Sequence, residues 1–150
     1  MKLSEKGPLA PVPTLAAVFE PVSQAIQGWP DIISAAHWDL YRVGEVVDGA
    51  DFYVGEEELG HIHLSGDVHL ASSPALGQSL VAGGWAQPMR FGGTQYGGWT
   101  EFRIRTSAYA AQAIWLFELN YQRLQGRPEA ELVAELVAEI AARKPISSPA

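Results

Sequence analysis

Cysteine is missing from this chain of 150 residues. Its absence excludes disulfides, zinc ribbons, cysteine-held iron–sulfur clusters and thiol catalysis, and it fits a reducing, cytoplasmic setting. Positive charge is scarce: Lys and Arg number 10 against 17 Asp and Glu, a net charge of −7. An acidic surface repels phosphate backbones, so no nucleic-acid partner is expected. Long apolar runs are also missing. The longest, 108–117, is interrupted by Gln112 and followed by Glu118. It falls well short of the roughly 20 residues a membrane helix needs, so no membrane partner is expected. The opening MKLSEKGPLAPVP is broken by three prolines and has no apolar core, unlike a secretory signal.

What is present fits one α+β domain. Hydrophobic residues make up 47% of the chain, enough for a core at this length. Residues 1–13 read as a proline-rich arm. A helix is expected from a Thr14 cap through Val18, Val22 and Ile26, with Pro21 inside it, where a proline kinks or splits a helix. A helical turn is expected over 31–36. Strands are expected over 38–43, 51–54, 58–64 and 68–72, the last three joined by short turns into an antiparallel meander. Ser73-Pro74 opens a short helix. Residues 99–105 alternate as a further strand, and Thr106 or Ser107 caps a long helix to about residue 124. A last helix over 128–143 carries an apolar stripe of Leu132, Val133, Leu136, Val137 and Ile140. The expected domain is 14–143, an antiparallel β-meander packed by helices with an extra C-terminal helix, and 144–150 is a tail.

The most informative stretch is Gly60-His61-Ile62-His63-Leu64-Ser65-Gly66-Asp67-Val68-His69-Leu70. Strand side chains alternate between faces. A three-residue turn from Ser65 to Asp67 pairs Leu64 with Val68 and His63 with His69. All three histidines then share one face, and Ile62, Leu64, Val68 and Leu70 share the other. A two-residue turn would send His69 to the core face. The later strand repeats the pattern, with Phe102 and Ile104 on one side and Glu101, Arg103 and Arg105 on the other. Strand order is not visible in the sequence.

Three readings of the histidine face compete. It is a solvated outer face, ordinary for an antiparallel sheet. It carries acid–base chemistry, with His61 and His63 as catalytic candidates and His69, Arg103 and Arg105 binding an anionic ligand. Or its imidazoles hold a transition metal, although H-x-H alone is a weak signal, so no residue is assigned as a metal ligand and the cofactor is unknown. The glycine-rich loop 85–98 carries Trp85 and Tyr96, which with Trp99 are candidates for gripping a planar ligand. His37 reads as a packing or capping residue at a helix–strand boundary, and Glu56-Glu57-Glu58 as a solvated turn. There is no phosphate-binding glycine loop and no nucleophile elbow.

Several pieces occur in an order that resembles a known family. They are Phe52-Tyr53-Val54-Gly55, Glu58-Leu59-Gly60-His61-Ile62-His63, Gly84-Trp85-Ala86-Gln87-Pro88 and Gly98-Trp99-Thr100-Glu101-Phe102-Arg103-Ile104-Arg105, followed by a helix ending near Asn120-Tyr121. Over 51–122 the chain resembles the luciferase-like domain family of small bacterial and fungal proteins. The resemblance implies an α+β fold with a helix-covered sheet, and carries over His61 best, then His63 and Trp99. Members often have an acidic residue and a histidine where Gln87 and Met89-Arg90 stand here. The family is named for fungal enzymes that oxidise a pyrone-type luciferin with oxygen; that activity is not carried over. Three functions remain open: a protein that binds or transforms a small organic ligand, a non-catalytic homodimeric module, and a metal-dependent enzyme.

Overall fold

In the computed structural model, which describes residues 1–90, 97–142 and 144–146, the first helix starts where Pro21 permits. Helix α1 (Glu20–Gln27) holds Pro21 in its first turn, where a missing N–H needs no partner. The expected start at Thr14 is therefore corrected, and residues 17–19 form a turn. The helical turn expected over 31–36 is a strand, β1 (Ile32–Trp38). Asp31 takes a positive φ of 66° after Pro30, and the β-branched pair Ile32-Ile33 favours extended backbone. The strand expected over 38–43 correspondingly ends at Trp38, and the Asp39 N–H donates to the Val46 carbonyl (2.8 Å) to close the following loop.

Five more strands complete the sheet: β2 (Val47–Val54), β3 (Glu57–His63), β4 (Asp67–Leu70), β5 (Gln87–Pro88) and β6 (Thr100–Arg103). Their order is β1-β2-β3-β4-β6-β5, and neighbours are antiparallel throughout. Helices α2 (Pro74–Ala82), α3 (Ala110–Leu124) and α4 (Glu129–Ala142) complete the α+β fold. The Ser73 hydroxyl caps α2 by accepting from the Leu76 N–H.

One face of the sheet is the core. Ala36, Ala50, Ile62, Val68 and Phe102 pair across five strands in one row. Helix α3 lays Phe117 over this face, with its ring 6.1 Å from Phe52 and 6.2 Å from Phe102, both edge-on. Gly60 makes room for it: a Cβ there would meet the Phe117 ring at 3.1 Å and the His69 carbonyl at 2.7 Å. Helix α1 packs on α3 and α2 on α4. In α4 the expected stripe is split, with Leu132 and Leu136 buried and Val137 and Ile140 exposed. No helix among the described residues is long and apolar enough to cross a membrane.

The histidine hairpin pairs His61 with His69, Ile62 with Val68 and Gly60 with Leu70, two residues away from the expected register. Because the slip is even, it leaves every side chain on its expected face. The exception is Leu64, expected in the core row; it lies in the turn and is 47% exposed. The turn needs Gly66, whose φ is +91° and whose Cβ would come within 2.5 Å of the Phe19 ring.

Candidate functional site

One residue along from the core row, the same strands build its opposite. Asp51, His61, His69, Glu101 and Gln87 pair successively across β2, β3, β4, β6 and β5. His63 lies two residues beyond His61 on the same face. A register irregularity between Ala36 and Trp38 falls at His37, and its ring stacks on His61 with centroids 3.9 Å apart. All four histidines of the chain therefore meet in one cluster.

Each imidazole has its own carboxylate. Nδ1 of His37 lies 2.8 Å from Asp51, Nδ1 of His61 lies 2.7 Å from Glu58, and Nδ1 of His63 lies 2.8 Å from Asp48. On His69 it is Nε2 that faces Glu101, at 3.4 Å. The other nitrogens turn toward one another. His69 Nδ1 is 3.1 Å from His61 Nε2 and 3.4 Å from His63 Nε2. The three rings stand nearly perpendicular, with centroids 4.8 to 5.0 Å apart. Ligand nitrogens of His37, His61 and His63 also lie within 4.8 Å of one another.

The cluster is partly covered, with side-chain exposure of 16% at His37, 20% at His63 and 15% at His69. The N-terminal arm crosses it, held by hydrogen bonds from Ala36 N–H to the Ala10 carbonyl (2.9 Å) and from Trp38 Nε1–H to the Pro8 carbonyl (2.8 Å). The arm delivers Lys6, whose buried ammonium pairs with Asp51. A second candidate ligand group, Asp51, Glu58 and His61, thus already has a cation seated on it. His61 is only 7% exposed. Burial first, and then the neighbouring imidazoles, push His61 well below the usual histidine range and His69 down to about 4. Burial and the charge of Asp51 push the Glu58 carboxyl up to about 8, and its Oε2 lies 2.7 Å from His61 Nδ1. Neutral imidazole is the form that ligates metals.

The other sequence candidates separate. Trp99 stays close, its ring centre 6.3 Å from that of His61. Arg103 lies in the next row and grips Asp67 with two hydrogen bonds, 2.5 and 2.7 Å. Arg105 is exposed beyond the end of β6. Trp85 lies in the helical core, 1% exposed and edge-on to Trp115 at 4.8 Å, because its N–H returns to the Leu80 carbonyl and folds it inward. It does not reach the histidine face. Tyr96 lies outside the described residues. His37, expected only to pack or cap, stands inside the cluster, and Glu58, expected in a solvated turn, is 8% exposed. Lys6, Asp48 and Asp51 carried no expectation. Asp51 left one signal, a charge within the apolar run Ala50-Asp51-Phe52-Tyr53, since a charge bound for burial needs a partner.

A family model described as Luciferase domain matches residues 56–120. Residues 56–120 are thus similar to that family. The segment contains Glu58, His61, His63, His69, Trp99 and Glu101, whereas Lys6, His37, Asp48 and Asp51 precede it and α4 follows it. No curated protein and no solved structure matches the chain.

Proposed function

We propose that the histidine cluster is a transition-metal centre at which a small organic ligand is bound or transformed. The observation that carries this reading is the pairing pattern: four imidazoles meet, and each turns one nitrogen outward to a separate carboxylate. Metal-bound histidines have this outer shell because the carboxylate fixes the tautomer and the ring orientation. His61 and His63 are the ligands common to both close groupings, and His37 or His69 supplies the third. His69 Nδ1 lies 3.1 and 3.4 Å from the inward nitrogens of His61 and His63, close to the ~3.3 Å ligand spacing that follows from 2.0–2.1 Å bonds in a tetrahedral site, and ligand nitrogens of His37, His61 and His63 lie within 4.8 Å of one another. His37 stacks on His61 within 11° of parallel.

Three protein ligands leave a coordination position for a ligand oxygen, which a metal ion there would polarise. With imidazole and no thiolate available, the set suits a divalent first-row ion such as zinc or iron. Elemental analysis after loading and dialysis tests the reading. The expected result is stoichiometric metal, a raised melting temperature with zinc, a visible cobalt spectrum, and loss of all three in His61→Ala/His63→Ala. Wild-type protein that retains no metal and shows no thermal shift with zinc or cobalt sinks it.

A further inference from the structure

Next to the histidine cluster lies an open cleft of about 620 Å³, and Glu58 and Trp99 belong to both. The third feature of this cleft is Arg123, from the last turn of α3. Its guanidinium is held still: Nε donates to Asn120 Oδ1 and Nη2 to the Ala71 carbonyl, both at 2.9 Å. Asn120 is itself fully buried and anchored on the Leu59 and Ala71 carbonyls. Arg90, Arg103 and Arg127 each meet a carboxylate. Arg123 meets none among the described residues, in a chain of net charge −7. Burial lowers its pKa, and the charges of Glu129 and Glu57 offset this only in part.

Glu5, Glu57 and Glu58 also line the cleft, with Lys2, but none of them forms an ion pair with Arg123, and a guanidinium fixed in place and partly desolvated is matched by a planar anion that takes both prongs of the fork. Trp99 adds an aromatic wall for a ring attached to that anion. We propose that the cleft binds a small aromatic carboxylate, its carboxylate on Arg123 and its ring along Trp99. The bound ring lies against Glu58, whose carboxyl also holds His61. The inference rests on the metal reading only for what the bound ligand meets next; binding itself needs no metal.

Calorimetric titration of the metal-free full chain with benzoate and with its neutral isostere benzamide tests it. Benzoate is expected to bind saturably and benzamide at least ~10-fold more weakly, the usual scale for a hydrogen bond to a charged group. Arg123→Gln is expected to lose benzoate by a similar factor while keeping zinc, and Trp99→Leu to weaken it several-fold. Because Arg123 also braces Asn120, Arg123→Lys is the companion variant: it keeps the charge, loses the fork, and is expected to fall between wild type and Arg123→Gln. No saturable benzoate binding to wild type, or equal binding of benzoate and benzamide, overturns the proposal. Protein that binds benzoate but no zinc fails the metal reading alone; protein that binds zinc and ignores benzoate fails this inference alone.

Discussion

On one side of the sheet Ala36, Ala50, Ile62, Val68 and Phe102 form a row that any apolar neighbour can satisfy. One residue further along the same strands, Asp51, His61, His69 and Glu101 form a row in which every group has a named partner. The first row is stabilised by burial, which is non-directional and scales with area. The second gathers buried polar groups whose desolvation offsets much of what their contacts return. Helices cover the first, where large rings such as Phe117 fill volume. An arm covers the second, where a single lysine supplies charge. A fold seeking stability alone would gain little from the second row, and this contrast is why the cluster reads as functional.

The comparison breaks most visibly at its strongest points. Phe117→Ala is expected to cost about 3–5 kcal/mol in urea unfolding, while the folded fraction keeps its zinc affinity; a folded variant without zinc binding would mean that the two faces are not independent. Lys6→Met leaves Asp51 without its cation and is expected to cost about 3 kcal/mol in the metal-free protein, the usual penalty for stranding one member of a buried pair. A cost near zero in the same urea titration would show that the arm does not hold the polar row together.

Asp48→Asn is expected to lower zinc affinity by about 10–100-fold through His63 with little change in the unfolding midpoint, read by competition with a chelator. The smallest effect lies at the rim. Arg103 holds the Asp67 carboxyl below its usual range. A depressed carboxylate contributes stability above its unfolded pKa and loses it as pH falls through the folded value. Arg103→Ala should therefore erase an acid-limb contribution below ~1 kcal/mol and leave neutral-pH zinc binding unchanged, since both side chains are about a third exposed.

Much of the site was legible because strand geometry is local. Alternation alone puts His61, His63 and His69 on one side, and the two-residue error in register did no harm because it was even. His37 was hidden by the assignment of 31–36 to a helical turn; once Ile32 and Ile33 are read as extended, His37 falls in a strand. Glu58 was read as solvated because three consecutive glutamates look like a turn, yet only Glu56 and Glu57 are exposed. Lys6 left no local trace at all, since its partner Asp51 lies 45 residues away.

By itself, then, the sequence determined the α+β class, the alternation that separates an aliphatic face from a histidine face, and the resemblance borne by residues 56–120. These follow from periodicity and short-range backbone preference, which act within a few residues. Only the tertiary structure decided that β1 brings His37 onto His61, that each imidazole finds its own carboxylate, that Lys6 reaches Asp51, and that Arg123 faces the cleft beside it. Those are contacts between distant segments, and they depend on strand order and on the path of an irregular arm, neither of which any local pattern encodes.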